Sequence, residues 1–319
     1  MQNEQVVFSM MLAPSAHNTQ PWQFTMDRNT IDIFVDWERH LDVSDPEKRQ
    51  LYVSLGCAIE NGVIAGQHFG CNVSVTYFPQ GESSAAPAAR LTLTGDGERD
   101  QHMSDLYAAL PDRRTNRQEY DGKPLTETER SALRSRQDAG VFFVENRKTI
   151  ITFAQASEEG TSRTLSRKDF KEELSHWVRN NWTKQDDGMP GYAMGMPAPI
   201  SLIAHLMVKI APIHKQEAPK VKRQIESASA VAIIVTDEDN PQAWIKAGQT
   251  MERLWLEATV AHLAAAPLAA AIEAGKEERQ AIREALSTDK YPQALLRIGH
   301  ASSNNLQSTP RRTLEDVVK

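Results

Sequence analysis

The chain lacks most of the features that identify a function directly. Its 319 residues include only two cysteines, Cys57 and Cys71, too few for a disulfide framework and without metal-ligand spacing. We expect both to be reduced and buried. The nine histidines show no metal-like pairing, and there is no His-Glu-x-x-His, Walker loop, Gly-x-Gly-x-x-Gly or Gly-x-Ser-x-Gly motif. A hydrolase or a metalloenzyme would therefore have to be built from scattered residues.

Positive charge and long apolar runs are also scarce. The net charge is −6, which argues against a protein that binds duplex nucleic acid through a basic face. The most apolar window, residues 258–272, is interrupted by Thr259, His262 and Pro267 and is shorter than a bilayer span. No basic segment followed by an apolar one opens the chain. We expect a cytoplasmic protein without a nucleic-acid or membrane partner.

The hydrophobic periodicity predicts an α+β protein with two similar parts. Alternating and continuous apolar runs predict strands, and apolar residues at helical spacing predict long buried helices. The predicted strands are 23–26, 31–35, 73–78, 90–94, 141–144, 229–236 and 293–298. The main predicted helices are 51–68, 100–110, 126–136, 244–265 and 277–286, and residues 148–182 are predicted to form one or two helices. Each part has a rough order of helix, strand and long buried helix, which divides the chain into halves at residues 1–105 and 106–319.

One internal segment has no period. Residues 184–199 (KQDDGMPGYAMGMPAP) combine glycines, prolines and methionines, which predicts a long irregular loop. Such a loop is either an exposed connector or a lid over a site, and long loops in compact domains often carry function.

The stretch 13–24 (APSAHNTQPWQF) is the most informative in the first half. Two prolines bracket small polar residues, so Ser15, Asn18 and Gln20 present hydrogen-bond donors and acceptors in several directions. This arrangement suits the polar edge of a flat ring. The simpler interpretation is a helix end followed by an Asx turn, with aromatic side chains entering the core.

Two arginine clusters lie at element boundaries. Arg113, Arg114 and Arg117 surround Thr115, and Arg311 and Arg312 lie near the end of the chain. Either cluster alone is typical of a solvated surface. Because guanidinium groups bind phosphate bidentately, two such clusters converging in the fold would hold a terminal phosphate.

These motifs resemble those of the nitroreductase family. The string Ser-x-x-Asn-x-Gln-Pro-Trp at residues 15–22 is similar to the family's flavin-edge motif, and Arg-Arg-Thr-x-Arg at 113–117 is similar to its phosphate motif. Ordinary members carry these motifs in the opposite order and pair two chains to form two FMN sites. The inverted order resembles the single-chain, twin-domain Acg type. This resemblance implies a nitroreductase fold, two halves forming an intramolecular pseudodimer, and one composite FMN site, with a further homodimer also possible.

The resemblance also implies roles for particular residues. Ser15, Asn18 and Gln20 would face the isoalloxazine ring. The residues that would hold the ribityl and phosphate groups are Arg113, Arg114, Thr115 and Arg117, together with Arg311 or Arg312. The family's loop near the flavin face would fall at Pro267 and Leu268, although the family's usual acidic-glycine ending is missing there.

The implied activity is that of an FMN-dependent oxidoreductase. NADH or NADPH would supply hydride, and a nitro, quinone or similar small-molecule acceptor would receive the electrons in a ping-pong cycle, with no side chain required as a dedicated acid or base. Two alternatives remain open at this point. One is an FMN-sequestering protein whose site is closed by residues 184–199, and the other is a family member without flavin that serves as an interaction module.

Overall fold

The computed structural model describes residues 2–95, 97–134, 140–304 and 306–319, and it contains two four-stranded antiparallel sheets. In chain order, the first half comprises α1 (Gln2–Met11), β1 (Trp22–Asp27), β2 (Thr30–Val35), α2 (Arg49–His68), β3 (Asn72–Tyr77) and β4 (Ala89–Thr94). Helix α3 (Gln101–Ala109) follows and leads to the second half.

The second half repeats this plan with a long insertion. It begins with α4 (Glu127–Arg134) and β5 (Val141–Val144) and continues, after the insertion, with β8 (Ala230–Thr236), α10 (Pro241–Val260), β9 (Ala264–Pro267), α11 (Ala270–Glu273), α12 (Lys276–Leu286), β10 (Tyr291–Gly299) and α13 (Leu314–Val317). The insertion comprises α5 (Arg147–Ser166), α6 (Lys168–Trp177), β6 (Val178–Arg179), β7 (Met189–Pro190), α7 (Ala198–Ser201), α8 (Ala204–Ile210) and α9 (His214–Glu226).

The two sheets have the same topology. The first has the strand order β1-β2-β4-β3, and the second has the order β5-β8-β10-β9. In each half, the 20-residue central helix, α2 or α10, connects the second strand to the third along the chain. The first sheet lies within residues 22–94 and the second within 141–299, on either side of the boundary predicted at 105/106. The similarity of the two parts, which residue identity does not reveal, is therefore visible in the strand order.

Helices α2 and α10 pack against each other at equivalent glycines. Gly56 is the eighth residue of α2 and Gly248 the eighth of α10, and their Cα atoms lie at the contact. A Cβ atom on Gly56 would clash with the carbonyl oxygen of Ile245, and one on Gly248 with that of Val53. The absence of side chains thus lets the two helix backbones approach closely. One hydrophobic core includes residues from both halves, among them Leu55 and Ile245.

Most predicted elements are confirmed to within a few residues, and Cys57 and Cys71 are free and buried. The helix predicted at 244–265 is wrong at its end. It stops at Val260, His262 adopts a left-handed φ of 57°, and residues 264–267 form β9 along β10. Alanines favour helices, but pairing with the sheet outweighs that preference here. The last two residues of the predicted helix 126–136 lie outside the described residues.

Candidate functional site

A strained turn follows α1. His17, Asn18 and Gln20 all adopt left-handed backbone angles, with φ between 49° and 56°, which non-glycine residues seldom do. The Ser15 hydroxyl helps to hold the turn because its Oγ accepts a hydrogen bond from the Gln20 amide at 2.9 Å. Concentrated strain of this kind persists only when the surrounding contacts fix it, and it is common at binding sites.

Gln20 and Arg312 do not line the cavity described below. The Gln20 side chain is fully buried, and it donates to the carbonyl of Asp186 at 2.7 Å and accepts from the Arg312 amide at 2.9 Å. The Arg312 guanidinium pairs with the Asp36 carboxylate at 3.1 Å and donates to the Trp22 carbonyl. Both side chains are thus held by internal contacts, and their contact with a cofactor stays a prediction.

The other predicted polar and arginine residues converge. Ser15, Asn18, Arg113, Arg114, Thr115, Arg117 and Arg311 all line one cavity of about 1000 Å³. The walls come from residues within 12–18, 110–118, 189–195 and 306–311, with Lys220 in addition. Segments almost 300 residues apart in the sequence thus meet at one site. Its composition, apolar on some walls and strongly cationic on others, is typical of a ligand pocket.

Arginine charges are concentrated at one end of the cavity. Arg311 donates to the Asn18 side-chain oxygen at 2.9 Å and to the Leu12 carbonyl at 3.2 Å. Burial, together with the like charges of Arg113 and Arg114, lowers the pKa of Arg311 to about 9. Burial and Arg113 also lower the pKa of Arg114. Without a bound anion, these cations repel one another.

A buried carboxylate compensates this charge in part. Glu252 of α10 is fully buried, and its Oε1 lies 3.1 Å from the Arg113 Nε. Burial raises the pKa of Glu252 to about 7, although the charge of Arg113 opposes that rise. The Arg113 guanidinium also stacks 4.5 Å from the centre of the Trp255 ring. Arg113 is therefore fixed in place, and the charge opposite it depends on pH.

The cationic end has the properties of an anion site. The Nε atoms of Arg114 and Arg311 are buried and have no hydrogen-bond partner among the described residues. Buried donors without acceptors are costly, and an anion with several acceptor oxygens would satisfy them and reduce the repulsion. The donor set thus fits a phosphate group.

Arg297 supports the loop that carries the first arginine cluster. It lies fully buried in β10, where its guanidinium donates to the carbonyls of Asn116 at 2.7 Å and Gln118 at 2.9 Å. It also stacks 4.1 Å from the centre of the Tyr120 ring. The sequence analysis assigned no role to Arg297. An unpaired arginine inside an otherwise apolar strand was the available signal.

Residues 184–199 form one wall of the cavity. The segment contains β7 and a short 3-10 helix, Gly191–Met194, so it is less irregular than predicted. Asn18 donates to the Gly188 carbonyl at 2.9 Å, Arg117 donates to the Ala193 carbonyl at 3.0 Å, and the Tyr192 hydroxyl donates to the Ser308 carbonyl at 2.9 Å. The segment therefore contacts all three other walls.

Pro267 and Leu268 are not among the residues that line this cavity. Pro267 ends β9, paired with Leu296, and the Leu268 amide donates to the Leu295 carbonyl. The predicted loop at the flavin face is a sheet edge at this position, so the geometry gives no support for a ligand contact there. Ala265, two residues before Pro267, forms a β-bridge with the backbone of Thr115.

His17 is a cavity residue that the sequence analysis did not select. Burial lowers its pKa to about 4, with Glu173 opposing and Arg117 adding to the effect, so its ring is neutral at pH 7. Its Nδ1 is buried without a hydrogen-bond partner among the described residues. Its position inside the motif at 15–22 was the available signal.

Comparisons with known proteins agree with this architecture. No family model matches the chain. A solved structure described as a putative nitroreductase from Anabaena variabilis covers 94% of this chain and 87% of its own, with a TM-score of 0.54 at 10% identity. The fold of this chain is thus that of the nitroreductases, as predicted.

Curated relatives narrow the assignment. The Mycobacterium tuberculosis protein "Putative NAD(P)H nitroreductase Rv3131" is 28% identical over 318 residues, covering 96% of this chain and 88% of the relative. "Putative NAD(P)H nitroreductase acg" from the same species is 24% identical over 309 residues, covering 96% and 91%. Over nearly its whole length, the chain is thus similar to proteins named as NAD(P)H nitroreductases, acg among them. Within the described residues, no helix is long and apolar enough to cross a membrane.

Proposed function

We propose that the protein is an FMN-dependent NAD(P)H oxidoreductase that reduces nitro, quinone or similar small-molecule acceptors. The observation that carries the proposal is the convergence of the 15–22 motif, the 113–117 motif and Arg311 on one cavity. Relatives named as NAD(P)H nitroreductases support the reaction class. The flavin would supply the hydride chemistry. The chain would have to bind the cofactor, orient it and shield it from water.

The phosphate of FMN suits the cationic end of the cavity. Arg114 and Arg311, which line the cavity, would donate to the phosphate oxygens through their guanidinium groups, and Arg113, held by Glu252 and Trp255, would add positive charge. Charge-assisted contacts of this kind are stronger than neutral hydrogen bonds. The phosphate would thereby define the direction in which the cofactor lies.

The polar turn would contribute further contacts to the cofactor. Ser15 and Asn18 line the same cavity, where the Asn18 side-chain oxygen accepts from Arg311, and Gln20 would act through the turn that it holds, without direct contact. Residues 184–199 would cover the bound molecule and limit access of water. The Tyr192 and Arg117–Ala193 contacts would have to break for this cover to open and admit the nicotinamide and the acceptor.

Reduction of the purified protein tests the function. We expect a yellow protein with about one FMN per chain, whose colour bleaches when NADPH or NADH is added without oxygen and returns when a quinone or nitroaromatic compound is added. A colourless protein that takes up no FMN would exclude the proposal. Failure to bleach, even in a variant shortened within residues 184–199, would identify a flavin store without reductase activity.

The pH dependence of FMN binding tests the role of Glu252. With a pKa of about 7, this carboxyl is protonated below pH 7 and ionised above it, where its charge offsets that of Arg113 and Arg311. The phosphate of FMN is a dianion above about pH 6.5. We therefore expect FMN affinity to fall on the order of tenfold from pH 6.5 to 8.5, as measured by fluorescence titration.

Glu252→Gln should remove most of this pH dependence and bind FMN more tightly than the wild type at pH 8.5. Glu82→Gln, at an exposed position, is the matched control and should leave the profile unchanged. An equally steep profile in Glu252→Gln would contradict the assignment of the titration to this carboxyl.

A further inference from the structure

Exposed apolar side chains are concentrated in one short segment. Of the eleven large hydrophobic residues that are exposed in the described chain, six lie within residues 200–210. They are Ile200, Leu202, Ile203, Leu206, Met207 and Ile210, which we call the apolar face. Their exposed fractions range from 41% to 77%. Scattered exposed apolar residues are normal, but a contiguous group of this size marks an interaction surface.

The spacing within the apolar face is that of a helix contact. Four of its residues follow the i, i+3, i+4, i+7 pattern from the N-cap of α8 to its last residue, which places them on one side of the helix. They are Ile203, Leu206, Met207 and Ile210. The opposite side of α8 is already used, because Ala204 and Val208 are buried in a small core with Val178. Because α8 already packs through its opposite side, the apolar face cannot be buried by rotation of the helix.

Neighbouring contacts fix the segment in place. The Asn181 amide donates to the Ser201 hydroxyl at 2.9 Å, and the Asn181 side chain donates to the Met196 carbonyl at 3.3 Å. At the other end, Lys171 donates to the Ala211 carbonyl at 3.2 Å. The apolar face is therefore presented on a supported element, which lowers the ordering cost of binding.

The charges around the apolar face favour a second copy over an anionic bilayer. Lys209, at its edge, pairs with Glu172 of α6 at 2.7 Å, so the border carries both signs. A two-fold interface places the same surface on both sides and needs donors and acceptors on each. An anionic bilayer attracts an excess of positive charge, whereas the one lysine of α8, Lys209, is already neutralised by Glu172.

The area is also sufficient for pairing. The exposed fractions of the six residues amount to roughly 600 Å² per copy, so two copies would bury about 1,200 Å², the lower limit of a stable standard interface. We propose that two copies of this chain form a homodimer through the apolar face, with their α8 helices in contact.

Sedimentation velocity of the full chain at several concentrations tests the homodimer. We expect the wild type to be dimeric, and the double variant Leu206→Glu/Ile210→Glu to raise the dimer dissociation constant at least about a hundredfold, because two charges per copy would be buried without partners. Since both positions are solvent-exposed in the single chain, the double variant should keep the melting temperature of the wild type at protein concentrations where both are monomeric. Ile151→Glu, at an exposed apolar position on α5, is the matched control and should remain dimeric.

Three results would overturn the proposal. The first is a wild type that is monomeric at all concentrations. The second is a dimer that persists in the double variant, which would place the interface on another face. The third is a monomeric wild type that co-sediments with vesicles of anionic phospholipid while the double variant does not, which would make the apolar face a membrane contact.

Discussion

Replacing Arg311 with methionine should weaken FMN binding on the order of several hundredfold. Loss of one partner from a buried charged contact costs about 2–5 kcal/mol, and Arg311 is the cation that the C-terminal tail brings to the cavity. Methionine keeps much of the length of the side chain but has no donor. The measurement is an equilibrium titration of apoprotein with FMN, followed by fluorescence.

Riboflavin separates a phosphate contact from a general distortion of the cavity. This molecule has the flavin ring and ribityl chain of FMN but no phosphate, so Arg311→Met should change its affinity by less than about threefold. Because Arg311 also donates to Asn18 and Leu12, a collapsed turn would weaken both ligands equally. Arg28→Met, at an exposed position in the β1–β2 turn, serves as the control for removal of a positive charge.

Equal losses for FMN and riboflavin would assign Arg311 to the support of the 15–20 turn and remove it from the phosphate site. Unchanged FMN affinity would exclude both roles. Arg114→Ala is expected to behave like Arg311→Met, since its Nε is also buried without a partner among the described residues. The two variants together test whether the motif at 113–117 and the C-terminal tail both contact the phosphate of FMN.

Local patterns were sufficient to predict the main strands and central helices, because their apolar periodicity is strong. Convergence of the arginine clusters was also predictable, but only through resemblance, since no local rule brings residue 114 to residue 311. The individual roles within each cluster were not predictable. Arg311 and Arg312 are adjacent and chemically identical, and only the fold directs one to the cavity and the other to Asp36.

The errors have a common physical cause, which is tertiary contact outweighing local preference. The alanines at 264–266 favour a helix but pair with β10. Residues 198–226 contain three helices that the sequence analysis did not predict. One of them, α9, even contains an internal proline, Pro219, which normally argues against a helix.

Gly248→Ala should destabilise the protein by about 3 kcal/mol or more. The new Cβ would clash with the Val53 carbonyl and with Gly56 Cα at 3.0 Å, and neither of these backbone atoms belongs to a side chain that can rotate away. Overpacking usually costs about 1–3 kcal/mol, and a clash between two long central helices lies at the upper end. Urea unfolding of the apoprotein measures the change, and Gly95→Ala, which meets nothing within 4 Å, is the matched control.

This substitution also tests the composite nature of the site. Helices α2 and α10 belong to different halves, and the cavity takes Ser15 from the first half and Arg114 from the second. If the helix contact sets the distance between the halves, Gly248→Ala should weaken FMN binding as well as stability, although residue 248 is not among those that line the cavity. Reduced stability with unchanged FMN affinity would mean that the turn and the arginine loop are held together by the tail and residues 184–199, independently of the helix crossing.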